Sequence, residues 1–177
     1  MATAMEEEAS AGAPTPLWYR RYRAAAYAFT LAALVWTLAI VLPFEPFSYL
    51  PPIIVGGGPG IWFVLAYVLL VVVGIGGFGA VSGFLTTVEL HERRTLDGRL
   101  MWPALALMYV GVAGSCVLLG VAGAVGGYAA TFQGSSTGAI HDLLAQYVNP
   151  ITTLVIITVI GAALAVLSMV RARWPVP

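Results

Sequence analysis

Four stretches of this chain are nearly free of charged residues and are each long enough to cross a bilayer, and that pattern limits the fold more than any other feature. A spanning helix needs about 20 mostly apolar residues. The first stretch runs from Ala24 to about Pro43, with nothing charged between Arg23 and Glu45. The second runs from about Gly60 to Val88 and the third from about Leu100 to Ala130. Pro103 falls in the first turn of the third, where a missing N–H is tolerated. The fourth runs from about Ile140 to Val170, and Pro150 inside it predicts a kink. Only 9% of the residues are charged and 60% are hydrophobic, against about 25% charged in an ordinary soluble domain. A chain this apolar cannot cover its own surface with polar groups, so lipid is its expected solvent. The predicted fold class is an all-α membrane protein, a bundle of four transmembrane helices.

The arginines orient it. Arg20, Arg21 and Arg23 precede the first stretch, Arg93, Arg94 and Arg99 separate the second from the third, and Arg171 and Arg173 follow the fourth. With four crossings all of these fall on one side. The opposite loops hold Glu45 and Asp142 and no basic residue. Basic residues mark the cytoplasmic face, so both termini are expected in the cytoplasm and the protein in the plasma membrane. Residues 1–19 contain Glu6, Glu7 and Glu8 and lack the basic start of a secretory signal. They read as a disordered acidic tail, with 20–173 as one transmembrane domain and 174–177 as a short C-terminal tail. The first outer loop is crowded with Pro and Gly between Pro43 and Gly60 and is expected to be irregular, with Phe44, Phe47, Tyr49 and Trp62 near the lipid headgroups. The formal net charge is zero and no basic block occurs, which argues against nucleic acid as a partner.

Lipid tails are as apolar as leucine, so helix contact in a bilayer depends on small residues that let backbones approach. Gly79 with Gly83 and Gly123 with Gly127 have the GxxxG spacing, and Gly111 adds a further small position. All five are expected to pack helices together within the bundle. Polar residues in or near the spans include Tyr67, Ser82, Tyr109, Ser115, Tyr147, Asn149, Thr152 and Thr153. Asn149 stands out, because it precedes Pro150 and its amide can hydrogen-bond across helices. Charges inside the membrane mark proton and ion paths, and their scarcity here disfavours a coupled transporter; a small transporter or channel is the weakest of the readings considered.

Candidate cofactor ligands are few. The single cysteine, Cys116, excludes a multi-cysteine metal or iron–sulfur site and reads as a small buried apolar residue. Glu89-Leu90-His91-Glu92 lacks the paired-histidine spacing of a helical zinc site and reads as a solvated helix end. His91 and His141 lie on opposite sides of the membrane, about 30 Å apart, and cannot both ligate one heme within a chain. No metal, cofactor or catalytic residue is expected, and His141 alone remains as a candidate heme ligand.

The second to fourth stretches resemble the C-terminal helices of heme–copper oxidase subunit I. The likeness is carried by Trp62-Phe63-Val64-Leu65-Ala66-Tyr67-Val68-Leu69-Leu70 and Gly77-Phe78-Gly79-Ala80-Val81-Ser82-Gly83-Phe84 on the second stretch. Arg99-Leu100, Leu107-Met108-Tyr109-Val110-Gly111-Val112 and Leu119-Gly120-Val121-Ala122-Gly123 continue it on the third. Tyr67 and Leu69 stand where that family has its two heme-ligating histidines. Gly126-Gly127-Tyr128 stands where its propionate-binding arginines would be. The resemblance therefore implies a degenerate relative, a noncatalytic subunit or accessory protein of a respiratory cytochrome oxidase-like complex, with other membrane subunits or further copies of itself as partners. The alternative is a compact four-helix heme protein, resembling heme A synthase and acting as a dimer, with His141 as its ligand.

Overall fold

The structure, a computed structural model, describes residues 17–172. The acidic residues expected as the N-terminal tail fall outside it, as do residues 173–177. Among the described residues there is no strand. The elements are α1 (Trp18–Val41), a short α2 (Leu50–Val55), α3 (Gly58–His91), α4 (Gly98–Thr131) and α5 (Thr137–Val170). Helices α1, α3, α4 and α5 are each long and apolar enough to cross a membrane, which makes this a multi-pass membrane protein. At about 1.5 Å rise per residue a 34-residue helix is about 51 Å long. Helices α3, α4 and α5 therefore exceed the roughly 30 Å hydrocarbon layer, and their ends protrude or tilt.

Three boundaries differ from the sequence expectation. Helix α1 begins at Trp18, so Trp18 and Tyr19 belong to the bundle and not to a tail, and Arg20, Arg21 and Arg23 lie inside its first two turns. The aromatic neighbours make that possible. The Arg21 guanidinium sits 4.4 Å from the ring centres of both Trp18 and Trp102, and Arg23 stacks on Tyr19 at 5.1 Å. Such cation–π contacts stabilise a charge beside an apolar surface by about 1–2 kcal/mol. Second, the Pro/Gly loop contains α2. Pro51 and Pro52 stand in its first turn, where proline fits a helix, and its Ile53 is buried against Gly60 and Gly127. Third, α4 begins at Gly98, capped by Asp97, whose Oδ1 accepts the Arg99 N–H at 2.9 Å. Pro103 thus lies in the second turn of α4 and not the first. Helix α5 opens on Ser136 as its cap and runs through Pro150 without a break.

Packing follows chain order. Helix α1 lies on α3, α3 on α4, and α4 on α5. The shared core is formed by α1, α3 and α4 around Tyr22, Phe29, Phe78, Met101, Met108 and Val112. Phe29 meets Phe78 at 5.2 Å and Tyr109 at 5.1 Å between ring centres. Trp36 covers Gly120 and Phe63. Helix α5 contacts little besides α4, yet that contact is close. A Cβ on Gly111 would strike Thr158 and Leu154, and one on Gly161 would strike Met108 and the Ala104 carbonyl.

Helix α3 is not uniform. Leu70–Gly77 and Thr87–His91 adopt wider π-helical turns, which insertions into an α-helix commonly produce. Beyond them, α3 secures the start of α1. The Ser82 hydroxyl donates to the Tyr19 carbonyl at 2.9 Å. The Glu89 carboxylate accepts the Trp18 and Tyr19 backbone N–H groups at 3.0 and 3.1 Å. A carboxylate there satisfies otherwise unpaired donors and sits at the positive end of the helix dipole. Glu89 is thus a cap on another helix, which its local sequence gave no sign of.

Candidate functional site

The five packing glycines divide. Gly123 lies against the Phe63 backbone, Gly127 against Ile53 and Gly111 against α5, and none of them leaves room for a Cβ. Gly79 and Gly83 face no neighbour among the described residues: a Cβ on either would meet nothing within 4 Å. Their expected role inside the bundle does not hold. The reason is rotational, since α3 turns Gly74 toward Phe29 and Ser82 toward Tyr19, which leaves Gly79 and Gly83 on its open side.

Tyr67, Ser82, Thr152 and Thr153 of the spans are satisfied nearby, whereas the Ser115 hydroxyl is buried with no hydrogen-bond partner among the described residues. Tyr67 Oη and Thr37 Oγ1 share a hydrogen bond at 3.0 Å, and Thr152 and Thr153 donate to the Val148 and Asn149 carbonyls. Cys116 is buried in the core. Asn149 is different. It is exposed, and its side-chain amide has no partner among the described residues. Its depth can be read from α4. Leu154 packs on Gly114 and Leu144 on Gly126, so Asn149 stands level with Gly120, where Trp36 of α1 lies. Helix α1 continues to Val41, about 7 Å further along its axis. Asn149 is therefore well inside the apolar slab and faces away from the protein. Pro150 has no N–H to return to the Gln146 carbonyl, so that acceptor is also left free. Asp142, Gln146, Asn149 and Thr153 recur at helical spacing and are all exposed, forming one polar stripe on the open face of α5.

The two histidines stay at opposite ends of the bundle, His91 at the end of α3 and His141 in the first turns of α5. His141 lines an open cavity of about 300 Å³ with Trp62, Pro59 and Leu144. One imidazole is the only strong metal-ligating group there, so a heme bound in it would need its second axial ligand from elsewhere. A larger groove, about 720 Å³, runs between α2 and the neighbouring parts of α4 and α5, past Ile53, Val125 and Leu143. Tyr49, Tyr128 and Gln133 give it a few polar groups, and its size suits an apolar chain with a polar end. Tyr49 donates to Glu45 at 2.7 Å, and that bond with the carboxylate's charge raises the phenol pKa above its usual value.

No protein-family model matches the chain, and neither a curated protein nor a solved structure is similar to it. The likeness to heme–copper oxidase subunit I rests on the sequence stretches alone.

Proposed function

We propose that this protein is a noncatalytic integral membrane subunit that joins a larger helical complex through the open face of α5. The observation that supports it is Asn149, a polar amide in the apolar slab with no partner among the described residues. Hydrocarbon offers such a group nothing to bond, and a neighbouring helix does. The resemblance to subunit I makes a respiratory cytochrome oxidase-like complex the first partner to test, in the plasma membrane with both termini cytoplasmic. Interhelical hydrogen bonds in membranes contribute about 0.6–2 kcal/mol. Asn149→Leu is therefore expected to weaken association roughly 3- to 30-fold, while leaving the isolated chain folded. The check is affinity purification from native membranes of the wild type and the variant side by side. Recovery of the wild type with no cytochrome-bearing partner would remove the oxidase assignment. Equal recovery of partners by the variant would remove α5 as the contact.

The cavity beside His141 favours a second reading, a small heme protein. A reduced-minus-oxidised spectrum of the chain, purified alone from heme-supplied cells, separates the two. The subunit reading predicts no cytochrome band. A stoichiometric band that disappears in His141→Ala would establish the heme reading.

A further inference from the structure

The arginine-bearing end of the bundle contains a second feature, independent of what α5 meets in the membrane. The start of α4 and the end of α5 enclose a cleft of about 350 Å³ lined by Thr95, Leu96, Asp97, Arg99 and Arg171. Both arginines are exposed, and neither forms an ion pair among the described residues. The ion pair at this end is Arg94 with Glu92, at 3.1 Å. Asp97 is the one opposing charge among the described residues that line the cleft, and its Oδ1 is engaged by the Arg99 backbone N–H as the α4 cap. Two guanidinium groups therefore line the cleft with one partly committed carboxylate, where the positive end of the α4 dipole meets the negative end of the α5 dipole. Guanidinium groups bind phosphate oxygens through short, charge-assisted hydrogen bonds.

The surroundings suit a lipid phosphate. One turn deeper on the arginine faces stand Trp102 on α4, 55% exposed, and Leu167 on α5, 37% exposed. A polar seat for a headgroup thus lies above apolar helix flanks that acyl chains can follow. We propose that Arg99 and Arg171 form a binding site for a phosphate ester, held as the headgroup of an anionic phospholipid in the leaflet on the arginine side.

Native mass spectrometry of the full chain in a nonionic detergent tests this, with dimyristoyl phosphatidylglycerol, dimyristoyl phosphatidylcholine and inorganic phosphate as probes. Phosphatidylglycerol is expected to stay bound under conditions that strip phosphatidylcholine. Each of Arg99→Gln and Arg171→Gln should weaken it about tenfold, and Arg93→Gln, an exposed arginine outside the cleft, should not. Phosphate binding lost in the same two variants, with phosphatidylglycerol no better than phosphatidylcholine, would keep the phosphate site and identify a soluble ester as its source. Equal retention of the two lipids without phosphate binding would overturn the proposal. So would an equal loss in Arg93→Gln, since binding would then follow net charge and not this pair.

Discussion

Gly123→Leu is expected to separate α3 from α4 and leave little folded protein. A side chain at Gly123 meets the backbone of Phe63, and a backbone cannot swing aside as a flexible side chain would. Overpacking costs about 1–3 kcal/mol where neighbours can shift, and more where they cannot. The same contact holds up the far end of the bundle, because Gly127 and Gly60 seat Ile53 of α2 one turn further on. Thermal unfolding in detergent, followed by loss of the monodisperse species, is the measurement. Gly79→Leu is the control: it has open space around it and should unfold within about 0.5 kcal/mol of the wild type. A Gly123→Leu protein as stable as that control would show that α3 and α4 do not approach closely at this point.

Glu89→Ala is expected to loosen the first turns of α1. The substitution removes the acceptor of two backbone N–H groups and the negative charge at the helix start. Charge-assisted hydrogen bonds contribute about 1.5–3 kcal/mol each. Glu89 is only partly buried, so water replaces some of that, and a net loss of about 2–3 kcal/mol is expected. Hydrogen exchange across residues 18–23 should speed up markedly in Glu89→Ala and by less in Glu89→Gln, which keeps one acceptor. Unchanged exchange in both would show that the Ser82 bond to Tyr19 and the Trp18–Arg21–Trp102 stack hold α1 without the carboxylate.

The four long helices were legible because lipid imposes a simple requirement, a run of residues with no charge. What the sequence hid was every feature set by a distant partner. Arg20, Arg21 and Arg23 read as the end of the membrane run, since nothing local reveals that Trp102 waits some eighty residues later to cover Arg21. Pro51 and Pro52 read as part of an irregular loop, and only their position at the start of α2 makes them compatible with a helix. Gly79/Gly83 and Gly123/Gly127 share one motif yet face opposite ways, because the motif says that backbones can approach and not which helix is there. The π-helical turns of α3 leave no local mark, and they shift every face beyond them. Asn149 is visible in the sequence as an unusual polar residue, but its lack of a partner among the described residues follows from α5 lying chiefly on α4.

That arrangement has a consequence for how the protein is made. Each long helix after the first packs on the one synthesised before it, α3 on α1, α4 on α3 and α5 on α4. A helix leaving the ribosome after α1 therefore finds a docking surface already in the membrane, while the start of α1 waits for Glu89 and Trp102 to cover it. Contacts between neighbours in sequence also form fastest. Of the four long helices α5 has the least buried apolar stretch, and on the proposed reading that uncovered surface is the one left for a partner once the bundle has formed.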